Sequence, residues 1–262
     1  MKLEGKVAVV TGGGGGLGRA IDLALAEAGA DVMIVSHQRL ATDVVSEIRK
    51  TGRDALAVQA DVSKSNDVDQ AVKEALKHFG KMDILVNAGA ILKIGSVLDF
   101  GEEDWDALFS VNAKGVFLFC KAVAKHMVSQ RSGKIINIAS EAGITGEPLN
   151  APYSASKFAV VGFTQAFALE MAPYNINVNA ICPTYMRTRM LDYAAQEVGK
   201  IESRSPDEVK AQWASEIALG RLATPEDVAK VVVFLASDDS AFISGQAIMV
   251  TGGGSKKYCV GG

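Results

Sequence analysis

The stretch that most constrains this chain is an apolar segment that runs into a glycine-rich turn and then into a helical pattern. Residues 7–11 read Val-Ala-Val-Val-Thr, and near-continuous apolar residues are typical of a strand buried on both faces of a parallel sheet. Residues 11–18 read Thr-Gly-Gly-Gly-Gly-Gly-Leu-Gly, and a helical pattern follows. Glycines let backbone approach a phosphate, and free N–H groups at a helix start attract the anion. No Gly-Lys-Ser/Thr ends the turn, so a dinucleotide site is favoured over a P-loop.

The alternation of apolar strands and helical patterns continues along the chain. Further strands are predicted at residues 32–35, 56–60, 84–87, 134–138, 176–181 and 246–250. One later helix is predicted to begin at Thr224-Pro225, because a capping residue, a proline and two acids stand in that order. Strands separated by helices imply right-handed crossovers and a parallel sheet. We therefore predict one α/β domain over residues 1–262, a doubly wound seven-stranded Rossmann-type sheet with helices on both faces.

Composition excludes several classes of protein. The formal net charge is −3 over 262 residues, which gives no support to a nucleic-acid partner. The cysteines at 120, 182 and 259 and the three histidines are scattered, so we expect no metal site and no disulfide framework. The first residues lack an apolar signal region, and no apolar run approaches the ~18 residues of a membrane span. We expect a cytoplasmic protein with no membrane partner.

Tyr153 and Lys157 are the strongest candidates for chemistry. Residues 151–172 predict a helix, with Pro152 in its first turn and Pro173 after its end. A spacing of four puts Tyr153 and Lys157 on one helix face. A nearby ammonium favours phenolate, so we expect the tyrosine pKa to fall from about 10 towards neutrality. Such a tyrosine is a general acid/base, although the pair taken alone would be read as an ordinary surface contact, and only the rest of the chain favours the catalytic reading.

Two predicted helices are apolar on nearly every side. They are the helix of Tyr153 and the stretch 116–123. A helix that is apolar all round is buried all round. One side can face the sheet, and we expect the other to meet a second subunit in a homo-oligomer, a dimer or a tetramer. Coverage by the loops of the chain itself is the alternative.

From residue 6 to residue 254 the chain resembles the short-chain dehydrogenase/reductases. Several motifs carry the resemblance, in order and at family spacing: Thr11-Gly12 with Gly16 and Gly18, Asp61-Val62, Asn87-Ala88-Gly89, Asn112, Ser140, and Tyr153-x-x-x-Lys157. The resemblance implies a nicotinamide-dependent oxidoreductase in which the cofactor carries the redox chemistry and the protein aligns donor, carbonyl and proton source.

The resemblance also assigns roles to these positions. Tyr153 transfers the proton, Lys157 lowers its pKa and binds the nicotinamide ribose, and Ser140 holds the substrate oxygen. Asn112 positions a water in the proton path. The remaining expected cofactor contacts are the turn residues Gly12, Gly16, Leu17 and Gly18, the adenine neighbours Asp61 and Val62, the floor residues Asn87, Ala88 and Gly89, and Thr188 at the carboxamide.

The choice between NADP(H) and NAD(H) depends on the end of the second strand. NAD enzymes of this type place an Asp or Glu there for the ribose 2′-OH. This chain has Ser36, His37 and Arg39, with no carboxylate among residues 35–39. All three side chains can donate to a 2′-phosphate, so NADP(H) is favoured and NAD(H) remains possible.

Residues 186–220 are predicted to lie over the substrate as a lid. Candidate pocket residues are Glu141, Leu149, Tyr185 and Met190. The length of this segment resembles that of relatives acting on small polyols, acetoin or similar carbonyl compounds, so a small-molecule alcohol or ketone is the expected substrate. The alternatives are a 3-oxoacyl thioester reductase and a non-catalytic nucleotide-binding scaffold.

Overall fold

Seven parallel strands form the centre of the computed structural model, which describes residues 1–254; the tail 255–262, with Cys259, lies outside the described residues. The strands are β1 Val7–Thr11, β2 Asp31–Ser36, β3 Ala55–Gln59, β4 Ile84–Asn87, β5 Gly133–Ile138, β6 Ile176–Pro183 and β7 Ala247–Val250. Their order in the sheet is β3-β2-β1-β4-β5-β6-β7. The predicted doubly wound parallel sheet is confirmed, and each strand lies within two residues of its predicted bounds.

Helices cover both faces of this sheet. They are α1 Gly16–Glu27, α2 Thr42–Lys50, α3 Ser65–Phe79, α4 Glu102–Phe109, α5 Gly115–Gln130, α6 Ala151–Met171, α7 Arg189–Glu202, α8 Pro206–Glu216 and α9 Pro225–Ala236. Successive strand residues point to opposite faces. In β1, Val9 joins the core under α3, α5 and α6, whereas Ala8 and Val10 join the core under α1, α2 and α9. Two hydrophobic cores therefore hold the sheet from both sides.

The predicted start of α9 is confirmed in detail. The Thr224 hydroxyl accepts from the Asp227 N–H, and the Asp227 carboxylate accepts from the Thr224 N–H at 2.8 Å, while Pro225 occupies the first turn. This capping box satisfies two N–H groups that the helix itself leaves unpaired. The local sequence alone fixes this boundary.

The stretch Glu102–Gln130 is one helical run of 29 residues, long and apolar enough to cross a membrane by length and composition. It contains a π-helical turn at Ser110–Lys114, where the Gly115 N–H donates to the Ser110 carbonyl. The expectation that no apolar run approaches the length of a membrane span is therefore too strict. Half of the apolar window is buried inside the fold, as expected for a core helix.

The helices α7 and α8 form a small hydrophobic cluster of their own. Leu191 and Ala195 of α7 pack with Val209 and Trp213 of α8. The rings of Tyr185 and Trp213 stack at 4.6 Å and 6°. Leu191, Val209 and Trp213 also line the large cavity described below.

The outward faces of α5 and α6 carry large apolar side chains. Phe117, Phe158 and Leu169 are all more than 40 % exposed. Phe163 packs edge-on against Phe117 and stacks on Phe167. Loops of the described chain therefore leave this aromatic face accessible.

Candidate active site

A cavity of about 1480 Å³ opens at the carboxyl ends of the strands. The strand order reverses between β1 and β4, and open α/β sheets bind ligands at such a switch point. The volume exceeds that of an ordinary small-ligand pocket, so a dinucleotide and a small substrate fit together. Of the predicted site residues, these line it: Gly12, Gly16, Leu17, Gly18, Ser36, His37, Arg39, Asp61, Val62, Ala88, Gly89, Ser140, Tyr153, Lys157 and Thr188.

The glycine turn is packed too tightly for side chains at two positions. Gly12 has a φ of +72°, and a Cβ there would lie 2.7 Å from the Cα of Gly89. A Cβ on Gly18 would overlap the Gly12 carbonyl. The Thr11 hydroxyl accepts from the N–H groups of Ala88 and Gly89, both at 3.2 Å. The glycine turn thus packs directly against the end of β4, and hydrogen bonds to the Thr11 hydroxyl join the ends of β1 and β4.

The start of α1 fits a dinucleotide pyrophosphate. No side chain caps this helix, so its first N–H groups remain available to an anion. Gly16, Leu17 and Gly18 line the cavity at this point. Thr188 lies across from Gly16, at 3.8 Å from where a Cβ would stand, and caps α7 by accepting from the Leu191 N–H. The residues therefore form a cradle for phosphate, with Thr188 on the opposite wall.

The end of β2 differs from the sequence interpretation in one respect. Arg39 donates to both carboxylate oxygens of Asp43, at 2.8 and 3.0 Å, and to the Gly14 carbonyl at 3.2 Å. The Ser36 hydroxyl donates to the Arg39 carbonyl. Asp43 lines the same cavity. A carboxylate is therefore present near the predicted 2′-phosphate position, because the first turn of α2 places Asp43 beside the Arg39 side chain.

Asp61 and Val62 lie on the wall expected to contact adenine. The Asp61 carboxylate accepts from the Ser63 N–H at 3.0 Å and from the Ser63 hydroxyl at 2.7 Å. Its other oxygen is 3.9 Å from Nε2 of His37. This turn is preorganised by its own hydrogen bonds.

Asn87 and Asn112 do not line the cavity. The Asn87 amide donates to Asn137 at 2.8 Å inside the sheet, next to Cys120. Asn112 lies in the π-helical turn, where it accepts from the Ile91 N–H and donates to the Ile91 carbonyl and to the Ser156 hydroxyl. Both side chains are buried and hydrogen-bonded to other protein groups, so they stabilise the strands and loops that form the cavity rather than its surface. The expected cofactor contact of Asn87 and the water-positioning role of Asn112 both stay predictions.

Ser140, Tyr153 and Lys157 converge on the cavity. The Ser140 hydroxyl hydrogen-bonds the Tyr153 phenol, and Nζ of Lys157 lies 5.7 Å from the Tyr153 ring centroid. Nζ donates to the Ile138 carbonyl at 2.9 Å. The strand end β5 supplies Ser140, and one face of α6 supplies the other two side chains. The predicted i, i+4 placement is confirmed.

The expected lowering of the tyrosine pKa is wrong for this structure. Burial raises the pKa of Tyr153 to about 12; the Ser140 hydrogen bond opposes this and the Glu147 carboxylate adds to it. Burial also lowers the pKa of Lys157 to about 8. Desolvation is the largest cause for both groups because both are enclosed, and it disfavours the charged form of each. The phenol therefore keeps its proton at neutral pH.

Several cavity residues complete the site. Glu141, Leu149, Tyr185 and Met190, the predicted pocket candidates, all line the cavity. Glu147 and Asn150, which the sequence interpretation missed, line it as well. The sequence signal that could have identified Asn150 is its position at the start of the Tyr153 helix, because a polar residue there is a capping candidate.

A glycine turn at the switch point of a parallel sheet, facing a Ser-Tyr-Lys set, defines an oxidoreductase that uses a nicotinamide dinucleotide. The family model for short chain dehydrogenases matches residues 6–199. The chain belongs to the short-chain dehydrogenase family.

Relatives in this family differ in substrate. The chain is 35% identical over 265 residues to a 3-oxoacyl-[acyl-carrier-protein] reductase of Thermotoga maritima, covering 97% of this chain and 99% of the relative. It is 40% identical over 252 residues to the 2-dehydro-3-deoxy-D-gluconate 5-dehydrogenase of Escherichia coli, covering 96% of each. The structure of an NAD+-bound xylitol dehydrogenase superposes with a TM-score of 0.93 at 35% identity, covering 97% of this chain and 100% of that one.

Proposed function

We propose that this protein transfers a hydride between NADP(H) and a small alcohol or ketone such as a polyol or hydroxyketone, with Tyr153 as the general acid/base. One observation carries the proposal: Ser140, Tyr153 and Lys157 meet in the cavity that also contains the glycine turn. A proton donor and a phosphate cradle in one enclosure are what carbonyl reduction requires.

The residues divide the work of carbonyl reduction. A bound nicotinamide supplies or accepts the hydride. Ser140 donates to the substrate oxygen and holds it beside Tyr153. The phenol, which burial keeps protonated, gives its proton to that oxygen as negative charge develops there. Lys157, with its pKa lowered to about 8, is suited to restore the proton near neutral pH.

A second candidate is reduction of 3-oxoacyl thioesters. The Thermotoga relative is named for that reaction, whereas the xylitol dehydrogenase is named for a polyol. The two are separated by assaying acetoacetyl-CoA beside small ketones and polyols. Turnover of the thioester with no turnover of the small compounds would favour the second candidate.

For the cofactor, Ser36, His37 and Arg39 support NADP(H), because each can donate to a 2′-phosphate. The Asp43 carboxylate opposes it, since a phosphate must displace Asp43 from Arg39. NAD(H) is the alternative, and the NAD+-bound relative is in keeping with it.

We further propose that residues 186–220 act as the lid of a single domain. The protein is proposed to work in the cytoplasm without membrane or nucleic-acid partners.

The chain is also proposed to form a homo-oligomer through the exposed aromatic face of α5 and α6. Light scattering of the purified protein tests the oligomer. A monomer at micromolar concentration would contradict it.

Replacing Tyr153 by phenylalanine tests the chemistry. The variant loses the proton donor and keeps the ring, so we expect kcat to fall by about 10²- to 10⁴-fold while NADPH binding, followed by its fluorescence, is retained. Full activity of the variant would refute the role of Tyr153. Normal cofactor binding without turnover by the wild type, over a panel of alcohols and ketones, would favour the scaffold alternative.

A further inference from the structure

The part of the cavity beyond Tyr153 carries a group of carboxylates that the hydride-transfer chemistry does not use. Glu141 and Glu147 come from the loop between β5 and α6, and Glu216 comes from the end of α8. Glu141 and Glu216 both raise the pKa of Glu147, after the larger effect of burial, and Glu147 in turn acts on Tyr153. All three carboxylates therefore line one cavity with the phenol, and Glu147 is the one whose charge acts on Tyr153.

This region is rich in acceptors and poor in donors. The Asn150 amide donates to Glu147 at 3.0 Å, and no cation of the described chain acts on Glu147. Asn150 is 8% exposed, yet its Oδ1 has no hydrogen-bond partner among the described residues. Glu141 is 9% exposed. Buried acceptors are nearly always satisfied in folded proteins, so the Oδ1 of Asn150 is suited to accept from a donor that a ligand brings.

The backbone of the loop before α6 holds these acceptors towards the cavity in a conformation that is locally unfavourable. Asn150 precedes the first residue of α6 but does not cap it with its side chain, although asparagine is among the best capping residues. Leu149 adopts a φ of +60°, which is unfavourable for a branched side chain. Its carbonyl is held by the Gly95 N–H at 2.9 Å. The loop is thus fixed in a conformation that turns Asn150 towards Glu147 rather than towards the helix end.

These features discriminate between substrate classes. Hydroxyl groups donate to carboxylates and to an amide oxygen, and they carry no charge. An acyl chain offers no donors, so it would leave the acceptors desolvated and unpaired. A substrate that ends in a carboxylate would add a like charge to three others in a partly enclosed site.

We propose that Glu141, Glu147 and Asn150 form a subsite for the hydroxyl groups of an uncharged polyhydroxy substrate and that the negative charge of the two glutamates excludes the matching sugar acid. The subsite rests on the proposed function, because it positions the carbon chain whose carbinol or carbonyl carbon faces Tyr153. The stacked pair Tyr185 and Trp213 supplies an apolar wall beside it.

The test compares xylitol with xylonate, which differ at one end of the same five-carbon chain. Wild type is expected to favour xylitol in kcat/KM by about a hundredfold or more. Glu147→Gln keeps the shape and the acceptor for Asn150 and removes one charge, so it should reduce this preference about tenfold, chiefly by improving xylonate. Glu103→Gln, an exposed change in the first turn of α4, is the matched control and should leave the preference unchanged.

Binding provides a readout that is independent of turnover. Calorimetric titration of xylitol and xylonate into the complex with reduced cofactor should show weaker xylonate binding, relieved in Glu147→Gln. Equal use of both compounds by wild type, an unchanged preference in Glu147→Gln, or a preference for an amino alcohol over xylitol would overturn the subsite. If wild type oxidises or reduces no alcohol or ketone of any charge, the proposed function itself fails. Turnover of simple alcohols with no discrimination against xylonate defeats the subsite alone.

Discussion

Replacing Lys157 by methionine should stabilise the fold at neutral pH while it removes catalysis. The lysine is fully enclosed, and burial lowers its pKa from 10.5 to about 8. At 1.36 kcal/mol for each pKa unit, keeping the ammonium charged at pH 7 costs about 3 kcal/mol. Methionine has a similar length and no charge, but it leaves the Ile138 carbonyl without its donor, which costs about 1–2 kcal/mol. The expected net gain is about 1–2 kcal/mol in the free energy of unfolding.

The pH dependence of this gain has a definite sign. Between pH 8 and 10.5 the unfolded chain holds the lysine proton that the folded chain has released. Wild-type stability therefore rises with pH in that window, and the Lys157→Met variant lacks this rise. From pH 8 to about pH 9.5 the advantage of the variant should shrink by about 2 kcal/mol.

Urea unfolding of the cofactor-free protein at about pH 7 and about pH 9.5 measures both effects. Lys73→Met, an exposed change in α3, is the control and should shift the free energy of unfolding by less than about 0.5 kcal/mol at either pH. A Lys157→Met variant that is less stable than wild type at neutral pH, or a stability gap that does not narrow as pH rises, would refute the reasoning. Activity of the variant should be lost at both pH values.

Two further predictions concern other charged groups. The Asp22 carboxyl is fully buried with no hydrogen-bond partner among the described residues, and burial raises its pKa well above the usual value. Above about pH 4 the folded chain must hold a proton that the unfolded chain has released, so the wild type loses stability as pH rises. The Asp22→Ala variant should therefore be more stable than the wild type by about 1–3 kcal/mol at pH 7 and by less at pH 5. Equal shifts in the thermal unfolding midpoint at both pH values would contradict this. Arg39→Ala should raise the KM for NADPH at least about tenfold and that for NADH much less, whereas Asp43→Asn should lower the KM for NADPH; steady-state kinetics with equal changes for both cofactors would argue against the proposed preference.

Much of the fold was predictable because it is encoded locally. Each strand is a short apolar run between turn-forming residues, and the start of α9 follows from Thr224 and Asp227. The same holds for the placement of Tyr153 and Lys157, since helical periodicity puts them on one face wherever the helix lies. The doubly wound parallel arrangement also followed from the alternation of strands and helices.

The electrostatics of the site were not predictable in this way. The tyrosine pKa depends on enclosure by distant segments and on the Glu147 field, neither of which sequence spacing reveals. Arg39 was predicted to donate to a 2′-phosphate, yet its guanidinium is already paired with Asp43 at the start of α2. In each case the missing information is which groups surround a side chain in three dimensions.

The hydrogen bonds from Ala88 and Gly89 to Thr11 bear on how this architecture diversifies. They lock together the two strands that flank the crevice, and Gly12 rests directly against Gly89. On the dinucleotide side of the enclosure, Gly12 and Gly18 therefore have no room for a side chain. New substrate specificities are then expected to arise on the opposite wall, where α7, α8 and the loop before α6 can vary without disturbing the hydrogen bonds to Thr11.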